Sequence, residues 1–191
     1  MKTSFVKKIA FLNSVAALAT AIIGIGLIGL NTMSNPELFK NIAQQSPSYI
    51  IGQDILKFIL AACGLIVVFY FNSINNSTKN KSIQIAYIAG VLANILLIIN
   101  ALLSISSITL QNDSFQAFIS LTALLSLFLN GIWYFIFSRY FMKNAVFTPS
   151  FNYLGLAIGI TSIIPIFGVV ALIFSIIWSL MLGIQLQKIK E

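Results

Sequence analysis

Long apolar runs alternate with short polar segments along the whole 191-residue chain. A helix needs about 20 predominantly apolar residues to cross about 30 Å of hydrocarbon. Runs at 9–30, 50–71, 83–103 and 115–137 meet or nearly meet that length. From 151 to 186 the chain carries no charge at all. As one helix that stretch would extend for roughly 54 Å, far more than a bilayer is thick. Pro165 and Gly168 lie near its middle. Proline disrupts the helical ladder and glycine permits a turn, so a tight hairpin is predicted there, with spans at 151–164 and 167–186. The fifth span is short and can begin earlier, near Thr148-Pro149, because proline suits a first helical turn.

The polar segments agree with this division. Residues 72–82 are polar and turn-rich, 31–48 form the longest gap and contain Pro36 and Pro47, and 104–114 are semi-polar. None is long enough for a separate domain. The predicted fold is all-α: one polytopic transmembrane bundle of six spans covering residues 1–191. The start of the chain, with its basic residues, apolar run and Ala19-Thr20-Ala21, also has the look of a secretory signal. The apolar run continues through Leu30, longer than a signal core, so an uncleaved first span is the expectation.

Composition excludes the competing classes. The chain is 59% hydrophobic and 8% charged, with a mean hydropathy of +0.98. So few polar residues cannot cover the surface of a soluble domain, and disorder needs the opposite balance. The formal charge of +7 would suggest nucleic acid on a soluble protein. Here the basic residues form small clusters between apolar runs, so membrane orientation is the better account and no nucleic-acid partner is expected. Lys2, Lys7, Lys8, Lys79, Lys81, Arg139, Lys143, Lys188 and Lys190 fall on one side of six spans, nine of the eleven basic residues. Lys40 lies opposite, with Lys57 just inside the second span. Glu37 and Asp113 lie in opposite-side loops, and Asp54 is near that surface. The bias predicts both termini in the cytoplasm, and an even number of spans independently requires both termini on one side.

The chain has no histidine, and Cys63 is its single cysteine. Histidine-based acid–base catalysis, the usual zinc and di-iron sites and an intrachain disulfide are therefore excluded. No cofactor, phosphate-binding loop or paired catalytic carboxylate is indicated. A lysine-activated serine, Lys57 with Ser48 or Ser104, is the one enzymatic arrangement conceivable, and the expectation is that the protein is not an enzyme.

Three sets of residues are candidates for a role. Small residues four apart share a helix face and let helices approach: Ala17 and Ala21, Ala86 and Gly90, Gly155 and Gly159. Packing within the chain is their expected use, with pairing of two copies through Gly155 and Gly159 as the alternative. Gly24, Gly26 and Gly29 suggest a flexible outer end for the first helix. Asp54 and Lys57 are three apart, on one face of the second span. They form either a snorkelling pair or a ligand or ion contact, since intramembrane charge is costly. Asn94, Asn100 and Asn130 are uncharged polar groups within spans, and Thr161, Ser162, Ser175 and Ser179 are milder ones. Hydrogen bonds between helices are expected, with a polar path for a small solute as the alternative. The aromatic groups Phe69-Tyr70-Phe71, Trp133-Tyr134, Tyr140-Phe141, Tyr153 and Tyr49 are expected to form interfacial belts.

Trp133, Ser138-Arg139, Thr148-Pro149, Leu154-Gly155, Gly159, Trp178, Gly183 and Lys188 follow one another in an order that resembles bacterial six-helix membrane families described as domains of unknown function. The resemblance covers roughly residues 130–190. It implies a six-span protein of the bacterial cytoplasmic membrane and supplies no catalytic residues. The functional expectation is a non-catalytic membrane component that binds lipid, a membrane protein or a second copy of itself. A small transporter or channel subunit is the alternative.

Overall fold

The computed structural model describes residues 1–29, 41–42, 44–74, 80–110, 113–164 and 167–188. Pro36, Glu37, Lys40, Lys79, Pro165 and Lys190, used above to read loops and charge, lie outside the described residues, as do the side chains of Asp113 and Lys188. The helices are α1 (Thr3–Ala21), α2 (Pro47–Ile74), α3 (Lys81–Leu110), α4 (Gln116–Lys143), α5 (Pro149–Ile163) and α6 (Gly168–Lys188). A π-helical segment, Ile22–Ile28, extends α1.

Local sequence accounts for the ends. Pro149 opens α5 after an extended Thr148. The π segment ends at Gly29, whose φ of 89° disfavours a side chain and whose amide donates to Gly24 O at 2.9 Å. The glycine-containing end of α1 is thus wound and hydrogen-bonded. Between α5 and α6, Ile164 is extended and its carbonyl accepts the Phe167 amide at 2.9 Å, and Pro165 of the predicted hairpin lies outside the described residues. The first helix begins at Thr3, ahead of the span predicted from residue 9, and one expectation needs correction: α3 continues to Leu110, so most of the predicted 104–114 linker is helical. Serine and threonine allow this because their hydroxyls can bond the carbonyl one turn back, as Thr109 does to Ile105 at 2.9 Å.

The helices form a closed ring. Each packs against the next in sequence, and α6 packs against α1. Neighbours run antiparallel: Thr3 at the start of α1 meets Tyr70 at the end of α2, and Thr148 before α5 meets Gln185 near the end of α6. One end therefore carries Lys2, Lys7, Lys8, Lys81, Arg139 and Lys143. The other carries the π segment, the start of α2, the end of α3 and the start of α4.

Along most of α3, small apolar residues face inside and large ones outside. On α3 the buried set includes Ala86, Ala89, Gly90, Ala93 and Ala101, while Ile85, Ile88, Leu92, Ile95, Ile99 and Leu102 are exposed. Such an outward stripe needs an apolar medium. Among the described residues, five helices are long and apolar enough to cross a bilayer: α1 with its extension, α2, α3, α4 and α6. The sixth, α5, has 15 residues.

Near the basic end the ring is filled by aromatic side chains. Phe71 stacks on Trp133 with ring centroids 6.0 Å apart and meets Phe141 and Trp178 edge-on at 5.0 and 6.0 Å. Phe147 lies 5.7 Å away, and Phe151 stacks on Trp178 at 4.7 Å. This overturns the belt expectation for Tyr70, Phe71, Trp133, Tyr134 and Phe141, which are all buried. Offset and edge-on packing of rings rewards clustering them inside. Phe69, Tyr153 and Tyr49 are exposed.

Candidate functional site

The intramembrane charges stand in the half of the ring opposite the aromatic cluster. Asp54 and Lys57 sit about 10–15 Å along α2 from its start, at 1.5 Å per residue. Their i, i+3 spacing brings them together, with Lys57 Nζ 2.7 Å from Asp54 Oδ1. Asp54 is fully buried, whereas the Lys57 side chain is 25% exposed. The ammonium also donates to Asn100 Oδ1 on α3 at 3.3 Å. Asn100 Nδ2 in turn donates to Ile119 O at 2.7 Å and Thr122 Oγ1 at 3.2 Å on α4. Thr122 donates back to its own helix at Phe118 O, 2.8 Å away. One polar chain thus ties α2, α3 and α4. The pair does not simply snorkel outward: Lys57 turns partly inward, to Asn100. Among the described residues, no serine hydroxyl is a hydrogen-bond partner of Lys57.

The other predicted polar residues are dispersed. Asn94 donates to Gly90 O of its own helix at 2.7 Å, and its amide oxygen occupies the space a side chain at Gly64 would need. Asn130 is half-buried on α4, without a hydrogen-bond partner among the described residues. Thr161 and Ser175 bond carbonyls of their own helices at 2.8 and 2.7 Å. Ser179 accepts from Asn13 Nδ2 at 2.7 Å and links α6 to α1.

The small residues lie at close crossings. A Cβ at Gly159 would come 2.8 Å from the Phe135 amide nitrogen of α4, and one at Gly155 would run into Ser138 Oγ and stand 3.1 Å from Trp178 Nε1. A Cβ at Gly90 would meet the Trp133 ring at 2.6 Å. Ala17, Ala21 and Ala86 are buried. The Gly155–Gly159 face is therefore occupied by α4 and α6 of the same chain, which leaves it no room for a second copy.

Several buried polar groups were not singled out in the sequence. Ser14 donates to Ile176 O at 3.2 Å and Ser126 to Ala93 O at 2.8 Å, both across helix contacts. Asn152 is buried on α5 and donates to Phe147 O at 3.3 Å. Serine and asparagine are common in spans, and only the neighbouring helix selects these. Among the described residues, the buried polar atoms without a partner are Asp54 Oδ2, Trp133 Nε1, Asn152 Oδ1, Ser162 Oγ and Trp178 Nε1. Only Asp54 Oδ2 belongs to an ionisable group in a charged cluster.

An all-helical ring with outward isoleucine and leucine stripes defines a multi-pass helical membrane protein. The chain matches no protein-family model, no curated protein and no solved structure, so this class rests on the chain's own helices and packing.

Proposed function

We propose that the protein is a six-span, non-catalytic component of the bacterial cytoplasmic membrane that presents its outer helix faces to lipid or to a membrane-protein partner. Both termini and the basic end face the cytoplasm. In this reading α5 is the sixth crossing: its 15 residues span roughly 22 Å, and tilting of its neighbours or local bilayer thinning accommodates the shortfall. The six-helix families that residues 130–190 resemble have the same number of spans.

The observation that carries the reading is the filled interior. Phe71, Trp133, Phe137, Phe141, Phe147 and Trp178 close the ring near the basic end, where a solute path along the axis would have to emerge. The Lys57 ammonium is also held, by Asp54 of its own helix and Asn100 of α3. Proteoliposomes of the purified chain are expected to be no more permeable to small neutral or ionic solutes than empty liposomes. Photo-reactive side chains placed at Phe128 or Leu124, both exposed on α4, are expected to cross-link to lipid or to a membrane protein in cells. A second reading, a small transporter, draws support from Asp54. Solute flux lost in Asp54→Asn would favour it.

A further inference from the structure

The oxygen atoms around Lys57 form a receptacle for one positive charge. Asn100 uses both amide hydrogens on α4, so its carbonyl oxygen must face the ammonium. Its orientation is set before any cation arrives. Asp54 contributes Oδ1 at 2.7 Å, while Oδ2 of the same buried carboxylate has no partner. A carboxylate taken out of water is stabilised only when its lone pairs are used, and the lysine uses part of that capacity. Lys57 itself is one-quarter exposed and hangs on a flexible four-carbon stem, so its ammonium is free to swing away from Asp54.

From this geometry we infer that Asp54 and Asn100 form a monovalent-cation site whose resident cation is the Lys57 ammonium, exchangeable with a small cation such as sodium or potassium. An entering ion takes both Asp54 oxygens and Asn100 Oδ1, and water fills its remaining positions. The Lys57 ammonium swings out of the site on its stem with its charge intact, and no covalent bond is made or broken. A single carboxylate balances one positive charge. A divalent ion would need several more oxygens and would leave excess positive charge beside Lys57. The site is independent of which way the chain is oriented in the membrane.

The test uses the full chain in detergent or nanodiscs at fixed pH and ionic strength, with an amine-acylating reagent and mass spectrometry of each lysine. Replacing choline by sodium or potassium is expected to raise the acylation rate of Lys57 several-fold, with Lys7 and Lys8 unchanged. In Asp54→Asn the rate at Lys57 is expected to be high in every salt. A wild-type rate at Lys57 that is the same in choline, sodium and potassium overturns the proposal, as does a cation dependence that persists in Asp54→Asn. Lys57→Met supplies a second readout. Its thermal midpoint is expected to rise by several degrees with sodium or potassium, saturably, as a bound ligand requires, and the rise is expected to be absent from Lys57→Met/Asp54→Asn. The wild-type acylation result decides the matter if Lys57→Met fails to fold.

Discussion

Ala145 occupies a backbone conformation that its neighbours impose and its own side chain resists. It follows α4 with φ of 51°, and the Val146 amide donates back to Phe141 O at 3.2 Å. This is the six-to-one bond of a helix C-terminal motif in which the left-handed position is usually glycine. An L-residue there costs roughly 1–2 kcal/mol relative to glycine or a relaxed backbone. Ala145→Gly is expected to stabilise the protein by about 0.5–1 kcal/mol, offset in part by added freedom in the unfolded chain, as measured by thermal unfolding in detergent. A decrease in the midpoint would mean that the turn relaxes to negative φ. The same residue scale separates what the sequence disclosed about Asp54 and Lys57 from what it hid. Their three-residue spacing announced a shared face. Asn100, 43 positions away from Lys57, was visible only as an isolated polar residue.

At the scale of the element, hydropathy located the helices but could not say how each is turned. Both faces of α3 are apolar, so an amphipathic stripe is absent. The inward face is recognised instead by Ala86, Gly90, Ala93 and Ala101 against outward isoleucine and leucine. Lipid supplies no hydrophobic force between helices, so small residues that admit close packing go inward. The aromatic residues misled for a related reason. A ring at the level of a membrane boundary can face headgroups or the bundle interior, and depth along the helix is the same in both cases. The closing contact between first and last helices is a further point that no linear pattern discloses. Asn13 and Ser179 meet across it at 2.7 Å. In a Cys63→Ala background, Asn13→Cys with Ser179→Cys is expected to give an intramolecular disulfide under mild oxidant, detected by a gel shift that reductant reverses. Failure to cross-link, with each single cysteine reactive, would open the ring.

At the scale of the molecule, the surface basic residues and the aromatic cluster share one end, and the far half holds the ion pair with its buried carboxylate. Cytoplasmic retention of Lys and Arg fixes the direction in which such a ring inserts. Membrane-impermeant thiol labelling of single cysteines in a Cys63→Ala background is expected to find positions 2, 81 and 143 protected in intact cells and position 44 labelled. Positions 2 and 143 reacting from different faces would contradict the four crossings, an even number, between them.

Medium, helix positions and the sidedness of charge are local properties of the chain. Transfer of each residue into hydrocarbon depends on its own composition and that of its near neighbours, so these could be read along the sequence. Ring closure, the inward turn of Phe71 and Trp133, and the link from Lys57 through Asn100 to α4 depend on residues distant in sequence. They exist only once six helices of nearly uniform apolarity have chosen their neighbours by shape and by the few hydrogen bonds available inside.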